Sequence, residues 1–278
     1  MNDLGELKSI DNIIKNALAE DLSDSGDVTT RTVAQDRQAE GVFKVKENGI
    51  VAGLMIIRRC FELYDNQVEI ELLVSDGDFV QPGTSVAKVK GLLSSLLTVE
   101  RTVLNFLCHL SGIASITYQF IEKVKPYKAQ ILDTRKTTPG LRMLEKYAVK
   151  IGGGINHRFG LYDMVLIKDN HKQFTDIATA IKRAKKTGLK VEVETDSFEE
   201  LKTALTQEPD VIMLDNMGIE DIKAACQLAK GKVKLEASGN VTLENVEEIA
   251  KTGVDYISVG AITHSAKALD ISFTILGS

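Results

Sequence analysis

Several things are scarce in this sequence, and each shortage removes a class of function. Lysine and arginine total 34 against 39 aspartates and glutamates, a formal net charge of −5. Without a basic field, the protein as a whole is a poor partner for nucleic acid. The three cysteines, Cys60, Cys108 and Cys226, are far apart and show no CxxC or other metal spacing. An odd, dispersed set excludes a disulfide framework and reads as reduced, buried thiols. No histidine–cysteine cluster offers a zinc site. No apolar run approaches the ~20 residues that span a bilayer. "MNDLGELKSIDNIIKNALAEDL" has neither a basic start nor an unbroken apolar stretch, so it does not read as a secretory signal. "IGGGINHRFGLYD" is glycine-rich but lacks the GK[ST] ending of a nucleotide-triphosphate loop. These absences predict a cytoplasmic protein with no membrane and no nucleic acid partner.

What is present is a core. The chain has 278 residues and is 44% apolar, enough for one large domain or two modest ones. Leu7, Ile10, Ile13, Ile14, Ala17 and Leu18 recur at helical spacing. "EGVFKVKENGIVAG" and "VEIELLVSDGDFVQPGTSVAKVKG" then alternate apolar and polar residues between turn signals, with a helix-like "LMIIRRCFELYD" between them. The stretch from Leu93 to Val124 predicts two helices broken near Ser111–Gly112. After Pro126 six short apolar strands alternate with helical segments, the rhythm of a parallel barrel short of its full eight units. Ser197 and Thr242 stand at expected N-caps. The predicted fold is an open (incomplete) parallel α/β barrel, TIM-like, with an N-terminal mixed α/β domain. Residues 1–110 would form an α/β sandwich joined by the tail 267–278, and 111–266 the barrel.

Barrel strands end at one mouth, so their terminal polar residues are candidate site residues. They are Thr134, Arg135 and Lys136; Lys168, Asp169 and Asn170; Glu194; Asp215 and Asn216; Glu236 and Ser238; and Ser258 and Gly260, with Val259 between them taken as a further substrate-binding position. Arg135 and Lys136 at one strand end suit a small polyanion, because guanidinium forks match carboxylates and phosphates. A mobile glycine-rich loop would deliver His157 and Arg158, with Lys168 and His171 nearby. "EASGN" and "ISVGAITHS" place Gly239 and Gly260 directly after strands, where backbone N–H groups approach a phosphate closely, helped by a helix start after Asn240 and by His264. Glu194 and Asp215 suit magnesium, directly or through water. They also suit a glycosidase-type carboxylate pair, which leaves the surrounding cations unexplained. A Schiff-base chemistry at Lys168 and a noncatalytic phosphate-ligand-binding role are the other readings.

"ERTVLNFL", "LDTRKTTPGLRMLEKYAVKIGGGINHRFGLYDMVLIKDNH", "VEVET", "IMLDN", "EASGN" and "ISVGAITHS" resemble the quinolinate phosphoribosyltransferase family nearly end to end. The resemblance implies an open seven-stranded barrel. It implies a pentosyltransferase that joins quinolinate to phosphoribosyl pyrophosphate (PRPP), giving nicotinate mononucleotide, pyrophosphate and carbon dioxide in NAD biosynthesis, with Mg2+. Arg135, Lys136, His157, Arg158 and Lys168 would hold the quinolinate carboxylates, Lys136 and Lys168 also lying near the pyrophosphate. Glu194 and Asp215 would face the ribose and magnesium; with Lys136 and Lys168 they form the catalytic set. Ser238, Gly239, Asn240 and Gly260 would take the 5-phosphate. Arg101 would reach into a neighbouring subunit's site, making a homodimer the minimum unit, with a hexamer open. A nicotinate-type phosphoribosyltransferase and the relative associated with molybdenum transport are alternatives within the same superfamily.

Overall fold

The computed structural model describes residues 4–34 and 36–276. In chain order the elements are α1 (Leu4–Leu22), α2 (Val28–Val33), β1 (Gln38–Val45), β2 (Gly49–Ile50), α3 (Leu54–Tyr64), β3 (Glu69–Leu72), β4 (Phe79–Val80) and β5 (Ser85–Leu92). Then come α4 (Leu93–Val124), β6 (Gln130–Leu132), α5 (Arg142–Ile151), β7 (Val165–Ile167), α6 (Asp169–Lys172), α7 (Ile177–Lys185), β8 (Val191–Thr195) and α8 (Phe198–Gln207). The last are β9 (Val211–Asp215), α9 (Ile219–Ala229), β10 (Lys234–Ser238), α10 (Val246–Lys251), β11 (Tyr256–Ser258), α11 (Ala261–His264) and β12 (Ile271–Leu276).

The chain divides into two compact units. The first comprises Met1–Ile116, Pro139–Gly152 and Ala266–Ser278. Its main sheet is antiparallel in the order β12-β1-β5-β3. Phe43 of β1 stands opposite Phe273 of β12, with ring centroids 4.7 Å apart, so an aromatic pair pins the tail's register. Helix α1 buries Ile10, Ile14 and Leu18 on one face, as its spacing requires.

Helix α4 is one element of 32 residues, not the two that the sequence predicts. Ser111 and Gly112 do not break it. Ser111 Oγ accepts from the Ala52 N–H at 3.0 Å. A Cβ built on Gly112 would run into the Lys267 carbonyl. The pair is there for close approach of backbone to helix, which a larger residue would prevent. Among the described residues, no helix is long and apolar enough to cross a membrane.

The second unit comprises Thr117–Thr138 and Gly153–Ser265. It carries a parallel sheet in the order β6-β11-β10-β9-β8-β7. Neighbours follow chain order except that the first strand, β6, pairs with the last, β11. This wraparound is the strand cycle of a barrel, opened between its first and second strands. On the open flank of β6, Ile155 forms a single parallel bridge with Leu132, a one-residue rudiment of a further strand.

Side chains alternate along each strand. In β8 and β9, Val191, Val193, Ile212 and Leu214 are buried, while Glu192, Glu194, Met213 and Asp215 take the other face. The same alternation in β10 and β11 puts Glu236, Ser238 and Ser258 on that second face. Period two thus gathers acids and hydroxyls into one interior. Ser197 caps α8, its Oγ accepting from the Glu200 N–H at 3.4 Å. Thr242 does not cap a helix: α10 begins at Val246, and the Thr242 hydroxyl accepts from Glu244 within a turn. No helix start therefore follows Asn240 directly.

Candidate active site

Within the second unit, the strand ends surround a cavity of about 590 Å³. Its lining includes Thr134, Arg135, Lys136, His157, Arg158 and Lys168. It also includes Glu194, Asp215, Ser238, Gly239, Asn240 and Ser258, so the strand-end reading brings most of its candidates together. Six are not in the lining, Asn170 of α6 among them. Arg101 is on α4 and exposed. His171 turns back to accept from the Lys168 N–H through Nδ1 at 2.9 Å. Val259 is buried, its N–H tied to the Leu132 carbonyl at 2.9 Å. His264 is exposed, its Nδ1 at 2.6 Å from Ser265 Oγ. Gly260 lies beside Lys136, and a Cβ there would come within 3.1 Å of Lys136 Cδ.

The turn after β6 is fixed by its own polar groups. Thr134 Oγ1 accepts from the Lys136 N–H at 3.0 Å, and the Lys136 carbonyl accepts from Thr263 Oγ1 at 2.8 Å. Asp133 is fully buried, and its carboxylate accepts from the His157 N–H at 2.8 Å and from Asn156 Nδ2 at 2.6 Å. The Ile155 N–H donates to the Ile131 carbonyl at 2.9 Å. These bonds correct the expectation of a mobile glycine-rich loop: the segment carrying His157 and Arg158 is strapped to the end of β6.

The cationic wall has the electrostatics of an anion site. Arg158 is only 8% exposed; its Nη1 donates to the Met164 carbonyl at 3.0 Å. Burial, and then the neighbouring charge of Arg135, pull its pKa below the usual guanidinium value. The Nε–H groups of both Arg135 and Arg158 are buried and meet no acceptor among the described residues. Two facing guanidiniums with unspent donors cost stability by themselves, and an anion between them offsets that cost.

Opposite, Lys168 Nζ pairs with Glu194 Oε1 at 2.7 Å. Asp215 Oδ2 accepts from Asn216 Nδ2 at 3.0 Å. Glu194 and Asp215 are hard oxygen donors on adjacent strands, a set that fits a water-retaining divalent cation such as Mg2+. Sequence reasoning left Glu192 out, although the alternation in "VEVET" puts it on the same face as Glu194. It lies under the cavity beside Glu236, each 1% exposed. Burial raises both carboxyls, Glu192 to about 7 and Glu236 to about 8, and the neighbouring Glu192 charge adds to the rise at Glu236. His157 bridges this floor to the wall. Its Nε2 is 2.9 Å from Glu192 Oε2, and its Nδ1 accepts from the Arg158 N–H at 2.8 Å. That pattern fixes the tautomer with the proton on Nε2. Leu166 and Met213, also unpredicted, supply apolar lining.

Known proteins resemble this chain over most of its length. The family model described as "Quinolinate phosphoribosyl transferase, C-terminal domain" matches residues 113–274, and the corresponding N-terminal domain matches residues 27–111. A probable nicotinate-nucleotide pyrophosphorylase [carboxylating] of Synechocystis is 42% identical over 96% of this chain and 92% of its own length. The Bacillus subtilis protein of the same description is 43% identical over 90% of this chain and 88% of its own. The structure of the nicotinate-nucleotide pyrophosphorylase from Francisella tularensis superposes with a TM-score of 0.93 at 41% identity, covering 97% of this chain and 96% of that one. With both of its domains matched, this chain belongs to the quinolinate phosphoribosyltransferase family.

Proposed function

We infer that the protein transfers phosphoribosyl from PRPP to the ring nitrogen of quinolinate, with loss of the 2-carboxylate. The products are nicotinate mononucleotide, pyrophosphate and carbon dioxide, in NAD biosynthesis. The observation that carries the reading is the pair of buried, unspent guanidinium donors of Arg135 and Arg158. A pyridine diacid brings two carboxylates to them; a monoacid brings one.

The residues divide the work by position. Arg135 and Arg158, with His157 and Lys136 beside them, hold the diacid so that its ring nitrogen faces the ribose. Ser238, Gly239, Asn240 and Gly260 take the 5-phosphate. Lys136 and Lys168 stabilise charge that builds on the departing pyrophosphate, since fixed cations lower the barrier where negative charge develops. Glu194 and Asp215 face the ribose, where positive charge grows as the C1–oxygen bond breaks. They would also hold Mg2+, which when bound supplies further stabilisation of the leaving pyrophosphate. Once the ring nitrogen is alkylated, its positive charge stabilises the electron pair left on C2 when the C2–carboxylate bond breaks and carbon dioxide departs, and C2 then takes up a proton from solvent to give the product. No covalent enzyme intermediate is required.

Arg101, exposed on α4, would complete the site of a second copy, which makes a homodimer the working unit, with a hexamer as a stack of dimers. The three dispersed thiols fit a reducing, cytoplasmic setting. The test is incubation with PRPP, Mg2+ and either quinolinate or nicotinate. The reading expects carbon dioxide release and nicotinate mononucleotide from quinolinate. Turnover of nicotinate alone, or tight binding of both substrates with no product, contradicts it.

A further inference from the structure

The turn after β9 takes a left-handed conformation that few L residues adopt, asparagine being one that can. Asn216 has φ of +56°, in the left-handed region. Across from it, after β10, Gly239 has φ of +97° and Asn240 of +49°. Asn216 links the two turns. Its N–H donates to the Ser238 carbonyl at 2.9 Å. Its side-chain oxygen accepts from Asn240 Nδ2 at 3.1 Å. Its side-chain nitrogen donates to Asp215 Oδ2 at 3.0 Å. A Cβ built on Gly239 would fall onto the same carboxamide. Residue 239 has no room for a side chain because Asn216 fills the space.

A carboxamide offers one oxygen and one NH₂. Asn216 spends the oxygen on the glycine turn and the nitrogen on the carboxylate. A left-handed non-glycine residue is uncommon, and here its own hydrogen bonds to both turns hold it there. We propose that Asn216 is a positioning residue that sets the separation of the Asp215 carboxylate and the Gly239 turn, and so governs the grip on the sugar phosphate but not on the pyridine diacid. This rests on reading the cavity as a phosphoribosyl-transfer site. The selectivity follows from topology. Asn216 ties β9 to β10, whereas Arg135 follows β6 and Arg158 follows Ile155 on the far side of β6.

Two variants test it. Asn216→Gly keeps the left-handed turn accessible and removes the carboxamide. Asn216→Asp keeps an acceptor toward Asn240 and replaces the donor to Asp215 with a second carboxylate. KM is measured for PRPP and for quinolinate, each with the other saturating and magnesium fixed, and folding is checked by thermal unfolding. Asn216→Gly is expected to raise the PRPP KM about tenfold, the scale of one lost hydrogen bond to a charged group. Its quinolinate KM stays within about twofold, below the energy of one such bond. Asn216→Asp raises the PRPP KM at least as far. A wild-type protein that does not turn over these substrates defeats the functional reading before any variant is made. With an active wild type, both KM values moving together, or neither moving, overturns the proposal. If Asn216→Gly does not fold, Asn216→Asp decides; failure of both to fold makes Asn216 a stability residue and overturns it as well.

Discussion

Arg158→Met separates what this site does for folding from what it does for chemistry. Methionine matches the stem of arginine and removes the guanidinium. In the native protein that guanidinium is buried beside Arg135, and both burial and the like charge pull its pKa down, so holding it charged costs stability. The change removes this cost. It also removes the hydrogen bond from Nη1 to the Met164 carbonyl, worth about 1 kcal/mol. The two effects oppose each other, and the melting temperature should stay within a few degrees of wild type or rise. Activity has no such compensation. Loss of a positioned cation against a carboxylate costs about 3 kcal/mol, or roughly 150-fold in kcat/KM for quinolinate. Steady-state kinetics and thermal unfolding on the same preparation give both numbers. A variant within threefold of wild-type kcat/KM, or one whose stability collapses alongside its activity, refutes the reasoning.

Three further outcomes are expected. Glu236 is raised from the usual carboxyl range to about 8, chiefly by burial. Its folded pKa therefore lies above the unfolded value, and its contribution is fully present below about pH 4.5 and lost as pH rises through 8. Urea unfolding should show stability falling by a few kcal/mol between pH 6 and pH 9, and Glu236→Gln should remove much of that slope; a rise in wild-type stability over this range contradicts the assignment. Gly112→Ala gains about 1 kcal/mol of helix propensity but forces its methyl into the Lys267 carbonyl, an overpacking cost of about 2–3 kcal/mol, so the melting temperature should drop while kcat/KM holds. Arg101→Ala and Arg135→Ala, each inactive alone, should recover up to about 25% of wild-type activity when mixed at equal amounts, because the proposed homodimer would form half its dimers mixed, each with one intact site; no recovery at any ratio counts against a shared site.

The barrel and the site were legible in the sequence to unequal degrees. Short apolar strands ending in polar residues are a period-two signal, and a parallel barrel sends those ends to one mouth. That is why Arg135, Lys168, Glu194, Asp215 and Ser238 could be gathered from strand ends alone. The same signal held Glu192 and Glu236, one pleat below, but reading only the last residue of each strand passed over Glu192. Asn216 was visible as a strand-end residue, yet its role depends on a left-handed turn and on the missing side chain at Gly239, and sequence spacing encodes neither. The supposed break in α4 failed for a related reason. Serine followed by glycine in a helical pattern reads as a stop, whereas here the helix continues and the small pair admits the chain around Lys267. Anchoring of the His157 segment was hidden as well, because Asp133 is one acid among many until its carboxylate is seen accepting from Asn156 and the His157 N–H.

The most direct test is a crystal structure of the protein soaked with pyridine-2,3-dicarboxylate. The account predicts density for the diacid with its two carboxylates on Arg135 and Arg158 and the ring nitrogen turned toward Glu194 and Asp215. Density for the ligand elsewhere, with those two guanidiniums unchanged, contradicts it.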